Sequence, residues 1–276
     1  MPEPLKTLSQ SSLQDYQDCP RRFELRYLQK LAYPAIETEP ALENEKHQQE
    51  GEYFHRLAQQ VLIGIPAEQV GRLANTENLQ RWWSNFQEDF GSLRDFRSLY
   101  PEITLSAPLG KFRLVAKYDL IAIDKDRVTI FDWKTYRRRP KNEWLHVRWQ
   151  TRIYRALLAQ AGAHLNGGKP FVPEQIEMVY WFADFPAEPA RFPYKADQFK
   201  RDWDALTRIA DEIESASTSL STNFPKTDEV SKCSYCPYRS YCNRGIRAGD
   251  AADAELETEA EELFDVNFEQ IGEIAF

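Results

Sequence analysis

At 276 residues, with 42% hydrophobic and 13% aromatic side chains, the chain has enough apolar material for a sizeable core, which excludes general disorder. Its formal charge of −8 argues at first against nucleic acid, but Gly249 to Phe276 hold 10 of the 43 acids and no Lys or Arg; the body before them carries 35 basic against 33 acidic residues and leaves nucleic acid open. No apolar run approaches the ~18 residues that span a bilayer and the N-terminus lacks a signal-peptide core, so a soluble cytoplasmic protein with no membrane partner is expected, its four cysteines being reduced thiols or metal ligands.

Residues 9 to 31, SQSSLQDYQDCPRRFELRYLQKL, set Leu13, Tyr16, Phe23 and Tyr27 at helical spacing behind a serine cluster suited to N-capping. Pro20 is expected to end one helix after Cys19 and to open the next. A second helical pattern runs from about Asn44 to Ile63, with Phe54, Leu57, Val61 and Leu62 apolar and His55 among them. A third, roughly 76 to 91, buries Leu79, Trp82, Trp83, Phe86 and Phe90; Trp82 and Trp83 read as core rather than as base-stacking platforms.

After Pro101 the period becomes strand-like, with turn signals at LGK and DKDR, and predicts a three-strand meander ending in TIFDWK. A helix over about 143 to 161, a strand at EQIEMVYWF and a helix over about 196 to 214 follow. The order predicts an α/β or α+β fold with a mixed central sheet flanked by helices. Beyond it lies a polar, Pro-containing segment with three cysteines at its end, and no internal repeat is visible.

Alternation along the last meander strand points Asp132 and Lys134 to one face and Trp133, expected in the core, to the other. A D-x-K triplet arises by chance about once in a chain of this length at ordinary composition. Asp119, however, interrupts the preceding apolar strand LVAKYDLIAI, where a buried carboxylate needs a cation. Antiparallel pairing through IDKDR brings Asp119 toward Asp132, and two neighbouring carboxylates call for a positive partner such as Mg²⁺ or Mn²⁺. Such an ion activates water and offsets charge on phosphorus, with Lys134 orienting the nucleophile or stabilising that charge, which suits phosphodiester hydrolysis.

YDLIAI followed by IFDWKT, the QTRIY helix and the upstream GEYFHRL together resemble the PD-(D/E)XK nuclease superfamily in its RecB-like branch. That resemblance implies a restriction-endonuclease-like core, metal-binding roles for Asp119 and Asp132, and a catalytic lysine at Lys134. It also implies supporting and DNA-contacting roles for Gln150 and Tyr154 and a metal-binding histidine at His55. The backbone carbonyl of Trp133 is a candidate ligand, and Glu102 a candidate further acid at a strand start where a solvated glutamate is ordinary. Ala116 stands where the family usually has a glycine.

Cys233, Cys236 and Cys242 form C-x2-C-x5-C, with Cys19 more than two hundred residues upstream. Zinc sites usually gather ligands in local pairs, whereas a cubane cluster takes four thiolates from separated segments. The arrangement resembles the iron–sulfur nuclease modules of AddB and of CRISPR-associated adaptation nucleases. This implies a 4Fe-4S cluster that staples the N- and C-terminal segments; zinc remains the alternative.

Arg137, Arg138, Arg139 and Lys141 follow the active-site strand, and Arg148, Arg152 and Arg155 recur on the next helix. Solvated surface is the ordinary reading of such runs, and phosphate contact with DNA the one adopted. The expectation is a nuclease domain over 8 to 246, followed by an acidic tail over 249 to 276 that is disordered, a partner-binding helix or a competitor for the DNA groove. Its activity is metal-dependent hydrolysis of DNA, exonucleolytic rather than endonucleolytic, on single strands or single-stranded ends in repair or recombination, beside a separate helicase or recombination protein. Two other readings stay open: a non-catalytic DNA-binding or scaffold module of the same fold, and a zinc-stabilised interaction protein.

Overall fold

The serine cluster caps the first helix in a computed structural model that describes residues 5–31, 39–93, 96–218, 224–234 and 236–244, without the side chains of 39–44 and 90–92. Ser9 Oγ accepts from the Ser12 N–H while Ser12 Oγ accepts from the Ser9 N–H, a reciprocal box that starts α1 (Gln10–Asp18). Pro20 opens α2 (Pro20–Phe23), which runs on as a π-helical turn over Glu24–Leu28. Then come α3 (Glu39–Leu62), α4 (Ala67–Gly71) and α5 (Glu77–Leu93). The Phe90 side chain and the acidic tail over 249 to 276, on which expectations were placed, lie outside what is described.

A six-stranded mixed sheet forms the centre: β1 (Thr7–Leu8), β2 (Ser98–Leu109), β3 (Phe112–Ile123), β4 (Val128–Lys134), β5 (Ile176–Phe182) and β6 (Ala190–Pro193). β2, β3 and β4 are the expected antiparallel meander, begun three residues before Pro101 rather than after it. β4 pairs parallel with β5, β5 antiparallel with β6, and β1 parallel with the start of β3. Between β4 and β5 lie α6 (Asn142–Val147) and α7 (Trp149–Ala161); the single predicted helix is broken where Arg148 takes an extended ψ of 145°. α8 spans Ala196–Thr218. β1, β6 and α4, each five residues or fewer, were too short to show a period in the sequence.

The sheet is covered on both faces, which defines an α/β fold with a mixed sheet flanked by helices. One face packs Leu114, Ile130, Met178 and Tyr180 against α1, α7 and α8. The other packs Leu120, Trp133 and Trp181 against α3 and α5, where Phe54, Trp82, Trp83 and Phe86 are buried.

One step in this sheet breaks the alternation. Along β3, Leu114, Ala116 and Tyr118 face α7, but so do Ile121 and Ile123, while Leu120 and Ala122 face α5. The two sides exchange between Tyr118 and Leu120, and β2 makes the same exchange between Tyr100 and Ile103. The paired registers Pro101 with Leu120 and Ile103 with Tyr118 bracket an unpaired step of Glu102 opposite Asp119, and Glu102 holds a left-handed φ of 54°. A non-glycine residue there stores strain of about 1–3 kcal/mol, which surrounding structure must sustain.

Candidate active site

β3 and β4 part at this same step. Their last pair is Leu120 with Phe131, so Asp119 and Asp132, next in register, face a widening gap. Asp119 turns its side chain into the gap, where Oδ2 accepts from the Trp133 backbone N–H at 2.7 Å. One face of α3 closes the gap from the α5 side. A Cβ on Gly51 would lie 2.7 Å from Thr135 Oγ1, so the glycine lets the helix approach the end of β4. One turn before it, His47 Nε2 reaches the Thr135 carbonyl at 2.7 Å; one turn after it, His55 Nδ1 reaches Asp119 Oδ1 at 3.2 Å.

His55, Glu102 and Asp119 each offer a ligand atom, all within 4.8 Å of one another. Burial works against a charged His55, but Asp119 beside it, with Asp132 and Glu102 farther off, raises its pKa to about 9 in the metal-free protein. Asp119 is pulled the opposite way: despite burial, the His55 charge and the bonds from His55 and Trp133 N–H hold it below the usual carboxylate range. Burial and the nearby Asp119 charge push Glu102 up, although Lys117 bridges to it. Two crowded carboxylates and an imidazole, already competing for protons, are a donor set that fits a small hard divalent cation.

Sequence offered Glu102 as a candidate further acid beside the ordinary reading of a solvated strand-start glutamate. Its signal lies in the backbone, since the strained φ is what swings the carboxylate to Asp119's side of β2. Glu102→Gln is expected to weaken Mn²⁺ binding about tenfold, by calorimetry at fixed pH, with folding retained. Unchanged binding would remove Glu102 from the site.

Across the gap, Asp132 and Lys134 do share a face: Lys134 Nζ sits 3.0 Å from Asp132 Oδ2, while Trp133 is buried on the other side against Trp181 and Phe86. Gln150, in the first turn of α7, donates from Nε2 to Asp132 Oδ1 at 2.8 Å. Tyr154, one turn on, stacks obliquely on Tyr118, whose hydroxyl donates to the Tyr154 carbonyl at 2.9 Å. Burial, with Asp132 and Asp119 nearby, keeps the Tyr154 phenol far above its ordinary pKa and so neutral.

Residues 7–243 match the profile of the PD-(D/E)XK nuclease superfamily. The chain belongs to that superfamily. Among solved structures, SSO0001 is 15% identical over 89% of this chain and 90% of its own, with a TM-score of 0.44. A "Putative exonuclease" from Eubacterium rectale is 11% identical over 88% of this chain and 90% of its own, with a TM-score of 0.52; the likeness is one of fold. No curated protein is similar enough in sequence to match.

The arginines of this PD-(D/E)XK protein divide. Arg138 and Lys141 are exposed and Arg137 half-buried beyond the end of β4. Arg139 donates to the Glu188 carbonyl at 2.7 Å and lies over the Phe182 ring. Arg148 is buried against Trp144, Arg152 is bonded to Asp202 at 2.6 Å over the Trp149 ring, and Arg155, 1% exposed, holds the Thr151 and Pro193 carbonyls. In this structure those three serve packing: a guanidinium on a helix that faces the sheet is drawn into aromatic and carbonyl contacts rather than left in solvent.

The four cysteines line one cavity, rimmed by Arg22, Lys226, Lys232, Arg239 and Arg244. The C-terminal segment is moored to α1 and α2 around it by Lys232 to Asp18 at 3.3 Å, the Arg21 N–H to the Pro225 carbonyl and the Tyr238 hydroxyl to the Leu31 carbonyl. Burial, with Cys19 and Cys242 nearby, pushes the Cys236 thiol up to about 11. No helix among the described residues is long and apolar enough to cross a membrane.

Proposed function

We propose that the chain is a divalent-metal-dependent deoxyribonuclease of the RecB-like branch. The observation that carries this reading is the Asp132–Lys134 pair at the end of β4, set across the strand gap from His55, Glu102 and Asp119. Mg²⁺ or Mn²⁺ is held by His55, Glu102 and Asp119, with Asp132 and the Trp133 carbonyl completing the ligand set. Once bound, such an ion supplies water activation and offsets charge on the scissile phosphate. Lys134 donates toward the charge that develops on the phosphate oxygens, and Gln150 orients Asp132. Tyr154 stays a neutral phenol at the same wall, available to donate but not to repel phosphate.

Arg137, Arg138 and Lys141 extend from the site and supply phosphate contacts, so DNA affinity falls as salt rises. The four cysteines hold a 4Fe-4S cluster. Support comes from their common cavity and its cationic rim. The cluster ties residues 8 to 246 into one nuclease domain, as in AddB-type nucleases. We assign the protein an exonucleolytic role on single-stranded DNA or ends in the cytoplasm, in repair or recombination, with the motor supplied by a separate helicase.

Digestion of end-labelled single- and double-stranded DNA tests the reading. Activity is expected with Mg²⁺ or Mn²⁺, to vanish on chelation and to return on readdition. Equal digestion with and without chelator, or none with either metal, would overturn it.

A further inference from the structure

Tyr180 lies outside every motif read from the sequence, yet it meets Lys134 directly and Asp132 through Gln150. In the parallel β4–β5 ladder Tyr180 is the register partner of Asp132, so the two side chains leave the sheet on the same face. Its ring lies beneath the Lys134 ammonium, with Nζ 5.5 Å from the centroid. Its hydroxyl, fully buried, donates to Gln150 Oε1 at 3.3 Å and sits 2.7 Å from Thr151 Oγ1. Thr151 has its own proton engaged by the Leu145 carbonyl, so the single Tyr180 proton is shared between Thr151 Oγ1 and Gln150 Oε1.

These contacts form one chain from the backbone to the acid: Leu145 carbonyl, Thr151, Tyr180, Gln150, Asp132. Gln150 is anchored at both ends, its oxygen by the Tyr180 O–H and its NH₂ by Asp132 Oδ1. An amide reversed in this slot would set its oxygen against the carboxylate, so a donor at the far end favours the productive orientation. Without that donor a buried amide oxygen is left unmet, and the amide gains freedom to turn.

We infer that Tyr180 is a positioning residue of the active site, its hydroxyl fixing the Gln150 amide that orients Asp132 and its ring carrying the Lys134 ammonium. The inference rests on the reading of Asp132 and Lys134 as active-site groups. Tyr180→Phe separates the two roles, because it deletes the hydroxyl and keeps the ring.

The test compares wild type, Tyr180→Phe, Gln150→Ala and the double variant, in the full chain. Turnover of DNA is expected to fall about tenfold in Tyr180→Phe with KM little changed, and to fall no further when the change is added to Gln150→Ala. Independently of activity, the Gln150 side-chain amide resonance, identified by its loss in Gln150→Ala, is expected to shift and to exchange faster with solvent in Tyr180→Phe. Full additivity of the two losses, or an unchanged amide resonance, overturns the inference while leaving the nuclease reading in place. A wild type that leaves DNA intact defeats the nuclease reading instead, and the amide resonance still decides whether Tyr180 holds Gln150.

Discussion

Asp119→Asn is expected to lower metal-dependent DNA cleavage about a thousandfold while the protein stays folded. Asparagine keeps an oxygen for the Trp133 N–H, so the bridge between β3 and β4 survives; what disappears is the charge that gathers His55 and, in the proposed function, the cation. The same substitution carries a signature in the metal-free protein. His55 there titrates near pH 9 because of Asp119, against about 6.5 in an unfolded chain. Its folded pKa is the raised one, so the stability it contributes is fully present below pH ~6.5 and is lost as pH rises through about 9. Asp119→Asn should return the His55 resonance toward ordinary histidine titration and flatten that window of stability. An unaltered histidine titration, or cleavage within a few-fold of wild type, would show that Asp119 is not the group that organises the site.

Cys236→Ser is expected to bleach the visible absorbance of the proposed cluster and to lower thermal stability sharply. A cross-link between Cys19 and the C-terminal cysteines closes a loop of more than two hundred residues, and removing one that long costs about 5 kcal/mol in the chain-entropy picture. Cys236 is also a buried member of the small apolar cluster with Leu25 and Tyr238, so a serine there leaves a polar group in that setting. The mooring bonds through Lys232, Arg21 and Tyr238 remain, so the C-terminal segment should loosen rather than detach. Iron analysis with a visible spectrum, followed by thermal unfolding of both proteins, reads the result. Wild-type protein that binds zinc in place of iron, or a variant as stable as wild type, would end the iron–sulfur staple.

Much of the architecture was legible because its elements are long and periodic. The stripe of Leu79, Trp82, Trp83 and Phe86 read as a buried helix face, and the stretch ending in Lys134 as the last strand of a meander. Pro20 and the serines around Ser9 marked helix ends by local chemistry. The break at Arg148 left no such mark, because it involves neither Pro nor Gly, and it shifts Gln150 into the first turn of α7. The burial of Arg148 and Arg155 was not legible for a related reason. Composition cannot tell a guanidinium facing solvent from one, such as Arg155, drawn under a tyrosine ring.

What the sequence determined by itself is the strand that carries Asp132 and Lys134 on one face, since period-two alternation is a property of the local backbone. It also supplied the bracket of four cysteines, a matter of residue type and order. Only the tertiary structure decided which groups meet at that strand end. Glu102 reaches Asp119 because two neighbouring strands break phase at the same step, His55 arrives because Gly51 lets α3 approach, and Tyr180 comes from a strand more than forty residues on. Each of these depends on register and close approach between distant segments, which no local pattern of residues encodes.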